Sequence, residues 1–211
     1  MMRSAARFVV GICVIGVICA IRVAAQPGEL IERTLAIVGG QVITLADTRA
    51  TIALALIDIG KPADSVDGAT TLLVERELIL REVQRYAPPE PAASAIDARV
   101  ESVRQRFPDA DTLNRTLEST GFSDVRLRAW VRDDLRIQAY LSQRFAAAGV
   151  PTEQEIALAF TSRRAEFEKA GTSFEQAAPL LREQLSAARR KELIADWVAD
   201  LRRRTEVVLL K

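Results

Sequence analysis

The sequence predicts a mainly α-helical protein in which a multi-helix bundle lies beside one small β-sheet. Apolar residues recur at intervals of three and four along most of the chain, which is the spacing of one face of a helix. Outside the first 25 residues, clear β-favouring runs occur only around Gly39-Gly40 and at residues 206–210. We therefore expect an N-terminal hairpin and a C-terminal strand to meet in one sheet.

Residues 1–25 have the three-part layout of a secretory signal peptide. Arg3 and Arg7 form a basic region, an uncharged apolar run follows at 8–21, and Val23-Ala24-Ala25 supplies the small residues that signal peptidase requires. The apolar run is shorter than the ~20 residues that span a bilayer core. Arg22 leaves a second interpretation open, in which residues 8–21 stay in place as an inner-membrane anchor. Cleavage is the favoured interpretation, and it predicts a periplasmic protein.

Cleavage would alter both the charge and the cysteine content of the chain. The whole sequence has 29 basic and 28 acidic side chains, and three of the arginines lie in residues 1–25. Residues 26–211 therefore carry 26 basic and 28 acidic side chains, a net charge of −2. This balance argues against a nucleic-acid partner, which usually meets a strongly basic face. Because Cys13 and Cys19 also leave, the remainder has no disulfide and no thiolate ligand.

Residues 34–43 are predicted to form the hairpin. Thr34–Val38 and Gln41–Ile43 flank Gly39-Gly40, and glycine tolerates the positive φ that a two-residue loop demands. An isolated hairpin is only marginally stable in water, so it needs a third strand or a helix to pack against. Glu206–Leu210 is the candidate third strand.

Helix signals fill the chain between these strands. The first helix begins after Thr44, a capping residue followed by Asp47, and is predicted to end at Gly60. Its apolar face consists of Leu45, Ile52, Leu56 and Ile59. Further helices are predicted over 68–86, 94–107, around 113–121, over 123–148, from 152 through Phe167, and over 174–204. Pro179 either starts the regular part of the last helix or kinks its first turns. Candidate domain boundaries lie at Pro88–Pro91 and Ala170–Ser173.

The residue types offer no catalytic or metal-binding constellation. The sequence contains no histidine, which excludes Ser-His-Asp triads and histidine metal sites. Asp133-Asp134 is the most conspicuous acidic pair, but adjacent helical residues point about 100° apart, so these carboxylates do not converge. With Arg132 and Arg136 beside them, we interpret the pair as a solvated surface. We predict no catalytic, cofactor-binding or metal-binding residues.

Two other features have a structural and a functional interpretation. Arg202-Arg203-Arg204 complements the dipole at a helix C-terminus, although a transient role at a membrane surface stays open. Trp130 and Trp197 lie among helical apolar residues and are predicted to be core residues. For Trp130, the flanking arginines Arg128 and Arg132 leave open a position in a binding groove.

Several segments together resemble the SurA family of periplasmic chaperones. Residues 35–44 followed by Asp47 resemble the family's opening hairpin and first helix. The other similar segments are Leu73–Leu80, Phe122–Phe145, Pro151–Ile156 and Phe174–Arg204. The resemblance implies a SurA N-terminal, trigger-factor-like chaperone fold over residues 26–211, in which 172–211 form the helix and strand that close the core.

The resemblance also implies a function, namely ATP-independent binding of unfolded or nascent exported and outer-membrane polypeptides in a helical groove. We expect no cofactor. The candidate residues for polypeptide binding are Leu113, Leu117, Phe122, Trp130 and Tyr140.

One departure from the family bears on activity. The family carries a parvulin prolyl-isomerase domain before its C-terminal helix, whereas here only Thr161–Ser173 occupies that place, and parvulin-type histidines are absent. We therefore expect no enzyme. The alternatives are a peptidyl-prolyl isomerase of this class and a non-catalytic module that binds one envelope protein.

Overall fold

The computed structural model describes residues 33–58, 65–146 and 149–210. In these ranges the chain has eight α-helices and one three-stranded sheet, so the predicted mainly α fold class is confirmed. The strands are β1 (Thr34–Val38), β2 (Gln41–Thr44) and β3 (Val207–Leu209). The helices are α1 (Leu45–Ala53), α2 (Val66–Tyr86), α3 (Ala93–Arg104), α4 (Ala110–Thr120), α5 (Asp124–Arg144), α6 (Glu153–Ser162), α7 (Arg164–Lys169) and α8 (Phe174–Arg204). The signal peptide or anchor, and the predicted helix ends at Gly60 and Ala148, lie outside the described residues.

The sheet joins the two ends of the described chain, as predicted. Its strand order is β2-β1-β3 and both pairings are antiparallel. In the central strand, Ile37 pairs with Val42 on one side and Val208 on the other. Bonds from Gly39 N to Glu206 O and from Leu210 N to Leu35 O, both 2.8 Å, extend the β1–β3 pairing beyond β3 itself.

The positive backbone φ of the hairpin loop favours glycine at both of its positions. Gly39 has φ +53° and Gly40 has φ +91°, the positive values that the loop requires. A Cβ on Gly39 would also lie 2.5 Å from Cζ of Arg81. The Arg81 guanidinium sits there because its Nη1 donates a hydrogen bond of 2.9 Å to the Gly39 carbonyl. The loop is thereby fixed to α2.

The first hydrophobic core lies between the sheet and three helices. The sheet contributes Ala36, Val38 and Ile43, and α2 contributes apolar residues from Leu73 to Val83. The α5 segment and the C-terminal half of α8 complete it, with Ile137, Tyr140, Trp197, Val198 and Leu201.

Helix α1 ends earlier than predicted and buries a different face. It stops at Ala53, because Ala55 takes a left-handed conformation with φ +48° and Leu56 N donates back to Thr51 O at 3.0 Å. The residues buried in the helix are Thr48, Ala50 and Thr51, whereas Leu45, Ile52 and Leu56 are only half-buried. The two threonines can be buried since their hydroxyls donate to Thr44 O and Asp47 O, at 3.0 and 2.8 Å.

A second core lies between α1, α3, α4 and α5. Its buried residues include Leu54, Val100, Val103, Leu113, Leu117, Phe122, Leu127 and Val131. Gly121, with φ +66°, ends α4, and Phe122 N then donates to Leu117 O at 2.9 Å. This glycine C-cap and its apolar contact were predicted from the sequence.

The third core belongs to a separate part of the chain, residues 151–189, which we call the lobe. The body comprises the described residues 33–58, 65–146 and 190–210, and residues 149–150 directly precede the lobe in sequence. The lobe core consists of Ile156, Phe167, Ala177, Ala178 and Leu181. The predicted single helix from 152 through Phe167 is wrong, because Arg163 adopts a non-helical conformation that separates α6 from α7. Helix α8 begins at Phe174, so Pro179 lies inside it and does not mark its start.

Candidate functional site

A cleft of about 240 Å³ lies between β2, the start of α1, α2 and α5. Its apolar lining comes from Val42, Ile43, Leu73, Phe122 and Trp130. Charged side chains of both signs surround this apolar surface, namely Asp47, Arg76, Glu77, Arg126 and Asp133. The cleft therefore combines aromatic, aliphatic and ionic groups in one place.

Helical spacing explains why these side chains share a cleft. On α2, Leu73, Arg76 and Glu77 follow one another at steps that keep them on one face. On α5, Arg126, Trp130 and Asp133 do the same. Periodicity of apolar residues alone does not reveal these faces, because four of these six residues are charged.

Arg76 covers the face of Trp130. Its guanidinium carbon lies 3.6 Å from the ring centroid, and Nη2 donates to the Trp130 carbonyl at 3.2 Å. Burial lowers the pKa of Arg76, an effect that the carboxylates of Asp133, Asp134 and Glu77 oppose. Its Nε is buried and has no hydrogen-bond partner among the described residues.

Arg126 covers the second aromatic ring of the cleft, that of Phe122. Its guanidinium lies over the ring of Phe122, 4.8 Å from the centroid. Its Nη2 contacts Asp47 Oδ1 at 2.6 Å. Asp47 also closes the α1 capping box, where its Oδ2 accepts from Thr44 N at 3.1 Å. The start of α1 is thus tied to α5 across the cleft.

The two aspartates of the acidic pair face different surroundings. Asp133 lines the cleft and accepts from Nη2 of Arg132 at 2.7 Å, with Nη1 of Arg136 at 3.8 Å. Asp134 lines a smaller hollow between α3 and α5, and burial raises its pKa. The interpretation of this pair as solvated surface is therefore wrong. The Asp133 side chain is only 17% exposed, because this face of α5 packs against α2.

Glu77 differs from the other charged groups of the cleft. Within the described part of the chain it makes no hydrogen bond or salt bridge. Burial raises the pKa of Glu77, and the more distant charges of Arg76 and Arg81 oppose this effect. The cleft thus holds one carboxylate whose charge is only partly compensated.

The structure brings two of the five predicted binding residues together. Phe122 and Trp130 both line the cleft, with ring centroids 6.5 Å apart. Leu113 and Leu117 are buried in the second core and Tyr140 in the first, so their side chains serve packing. The prediction that Trp197 is a core residue is confirmed, since it is buried against Tyr140.

Sequence reasoning missed the residues that complete the cleft. These are Val42, Arg76, Glu77, Arg126 and Asp133. A search for charged residues that share a helix face with Trp130 would have found Arg126 and Asp133. The α2 residues have no such local signal, because their approach to Trp130 depends on how two helices pack.

The described residues contain no group of three or more acidic, cysteine or histidine side chains arranged to hold a metal ion. None of their helices combines the length and apolar character needed to cross a bilayer. No protein-family model matches the chain, and no curated protein is significantly similar to it.

Proposed function

We propose that this protein is an ATP-independent holdase chaperone of the SurA type that binds unfolded exported polypeptides in the periplasm. The observation that carries the proposal is the cleft, in which aromatic and aliphatic side chains adjoin charges of both signs. Unfolded chains present varied apolar side chains with polar neighbours, and a mixed surface of this kind accepts them without one fixed geometry.

The sheet architecture also supports the proposal. A hairpin at the start, closed by a strand after a long final helix, is the arrangement that the resemblance to the SurA family implies. The export signal in residues 1–25 fits a periplasmic site of action. Lack of histidine and the short segment 161–173 favour a chaperone without isomerase activity.

A second candidate is an interaction module for one envelope protein. It is favoured by exposed apolar side chains near and on the lobe. Val150, Leu158 and Leu180 are 67%, 61% and 49% exposed.

Aggregation assays separate these functions. The purified protein, without ATP, is added to two unrelated unfolding proteins, thermally unfolding citrate synthase and reduced lysozyme, and light scattering is recorded. A holdase lowers the scattering of both at near-stoichiometric ratios. Suppression of neither client would contradict the proposal. Catalysis of proline-limited refolding, in proportion to protein concentration, would favour the isomerase instead.

A pair of variants tests whether the cleft is responsible. Val42→Glu places a charge at the cleft, and we expect it to raise the amount of protein needed for half suppression several-fold. Val125→Glu makes the same chemical change on α5, at a side chain that is 77% exposed and outside the cleft lining. We expect this control to act like the wild type. Equal loss in both variants would point to a nonspecific charge effect.

A further inference from the structure

The outer edge of β2 carries unpaired backbone groups. In a two-residue hairpin the residues that flank the loop, Val38 and Gln41, form the hydrogen-bonded pair, so the next pair, Ile37 and Val42, is not bonded. The N–H and C=O of Val42 therefore point away from β1, where the described residues contain no further strand. The Val42 carbonyl accepts an exposed hydrogen bond from Gln41 Nε2, which is long at 3.4 Å.

This free edge borders the cleft. Gln41, Val42 and Ile43 all contribute to the cleft lining. Side chains on the face of Ile43 are directed toward α2, because Ile43 is buried against that helix in the first core. A strand added beside β2 would alternate its side chains in the same way, and every second one would enter the cleft.

The charge in the cleft indicates which side chain fits. Arg126 is neutralised by Asp47, and Asp133 by Arg132 and Arg136. Arg76 is stacked on Trp130 and bonded to its carbonyl. Glu77 is left without a hydrogen bond or salt bridge among the described residues, so it is the cleft carboxylate with no direct partner; the Arg76 charge that opposes it is itself held on Trp130.

The opposite edge of the sheet offers a contrast. There the N–H and C=O of Val207 and Leu209 point outward, since Val208 is bonded to Ile37. The charges near the start of β3 are of both signs: Glu206 precedes the strand, and Arg85 and Arg204 lie close to Glu82, at 4.0 and 3.7 Å. No residue of β3 lines the cleft, so a strand added at that edge would not place its side chains there.

We propose that an extended polypeptide segment pairs with β2 as a fourth strand and places a lysine or arginine side chain in the cleft against Glu77. The backbone pairing through Val42 gives affinity for any extended segment, and the aliphatic stem of the basic residue packs on the apolar lining. The inference rests on the proposed polypeptide-binding function and adds to it a binding mode and a preferred residue type.

Peptide binding tests this inference. The probe is a fluorescently labelled peptide of about nine residues that alternates threonine and valine around a central lysine, with blocked ends. A second peptide carries norleucine in place of the lysine, and a third has N-methyl groups on alternate backbone amides. Dissociation constants are measured by fluorescence anisotropy with the full chain and with the variants Glu77→Gln, Val42→Pro and Leu209→Pro.

The expected pattern separates the charge from the backbone pairing. Glu77→Gln weakens the lysine peptide roughly fivefold or more and leaves the norleucine peptide unchanged. Val42→Pro removes the outward N–H from an edge strand, where proline is tolerated, and weakens both peptides. Leu209→Pro, the matched change on the other edge, weakens neither. The N-methylated peptide binds poorly to the wild type, which tests backbone pairing without altering the protein.

Several outcomes would overturn the inference. One is an equal effect of Glu77→Gln on the lysine and norleucine peptides. Others are wild-type affinity of the N-methylated peptide, or loss of binding in Leu209→Pro but not in Val42→Pro. If the wild type suppresses client aggregation yet shows none of the expected pattern, the binding mode is wrong and the chaperone function stands. If the wild type fails to suppress aggregation, the proposed function itself is wrong.

Discussion

The body and the lobe are built on different scales. Among the described residues, the two cores of the body contain 14 and 9 buried residues, drawn from both ends of the chain. The lobe core contains five, two of which are alanines. Buried apolar area is the main source of stability, so the lobe has much less to hold it folded.

Exposed polar contacts hold much of the lobe together. Arg189 contacts Glu155, Arg182 contacts Glu153 at 2.6 Å, and Arg163 donates to Gln184 at 2.9 Å. Ion pairs in such exposed positions contribute little to stability. The Phe160 ring adds contacts with two other phenylalanines of the lobe, Phe167 at 5.0 Å and Phe174 at 5.4 Å.

Helix α8 belongs to both parts. Its first half packs on α6 through Leu181, and its second half packs on α2 through Leu201. The body is closed by contacts between residues far apart in sequence, whereas the lobe contains segments that are close in sequence. We therefore expect the lobe to open at a lower free energy than the body, while the second half of α8 stays folded.

Truncating one leucine in each half of α8 should give the largest difference in stability between the body and the lobe. Leu201 and Leu181 are both 2% exposed, so the changes are matched in burial. We expect Leu201→Ala to lower the global free energy of unfolding by about 3 kcal/mol. Leu181→Ala should instead open the lobe and leave the global transition of the body nearly unchanged. Hydrogen exchange measured by mass spectrometry checks this peptide by peptide.

The control for this pair is an exposed leucine of the same helix. Leu180 is 49% exposed, and Leu180→Ala should change neither part by more than about 0.5 kcal/mol. The contradicting result is that Leu181→Ala lowers protection from hydrogen exchange in the hairpin as much as Leu201→Ala does. That result would mean that the body and the lobe unfold as one cooperative unit.

Removing the C-terminal strand should have the next largest effect, and only on the body. A chain that ends at Glu206 loses β3, with the bonds that Val208 and Leu210 make to β1. It also loses the partial burial of Val207 on the first core. We expect a loss of roughly 2 kcal/mol in global stability, since the hairpin keeps only α2 as its support. Thermal unfolding followed by circular dichroism measures it. An unchanged melting temperature would mean that β3 does not stabilise the body.

The sequence predicted the parts of the fold that have local signals. Gly39-Gly40 identified the hairpin, and Gly121 followed by Phe122 identified the end of α4. The closure by β3 followed from a simple physical need, that of a marginal hairpin for a partner. The end of α1 could not be predicted in this way, because Ala55 has no intrinsic preference for the left-handed conformation that stops the helix.

The cleft was predictable only in part for the same kind of reason. Phe122 and Trp130 were selected as large apolar residues near arginines, and both line it. Leu113 and Leu117 have the same apolar character and share the second core with Phe122, yet neither reaches the cleft lining. Whether an apolar helix face points to a core or to a cleft depends on the neighbouring helices, and apolar spacing carries no information about them.

The smallest expected effect on stability is that of pH. Its sign for Glu77 in the body is opposite to its sign for Glu155 in the lobe. In the body, burial raises the pKa of Glu77 above its usual 4.5, so the folded state binds the proton more tightly than the unfolded state. Stability from this group is therefore present at low pH and is lost as pH rises through the raised folded pKa. In the lobe, hydrogen bonds from the backbone and side chain of Thr152 lower the pKa of Glu155. Its contribution is present above pH 4.5 and is lost as pH falls through the lowered folded pKa.

Lowering the pH from 7 to 5 should therefore stabilise the body slightly through Glu77, while Glu155 keeps its contribution to the lobe. Asp134, also in the body, acts in the same direction as Glu77, because burial raises its pKa. The quantity to measure is thus the difference in urea unfolding midpoint between the wild type and Glu77→Gln at each pH. The variant cannot ionise at this position, so we expect its advantage over the wild type to be larger at pH 7 than at pH 5. An advantage that does not change with pH would mean that Glu77 is solvated as well in the folded protein as in the unfolded chain, and the cleft would then offer no partly compensated charge to a basic side chain.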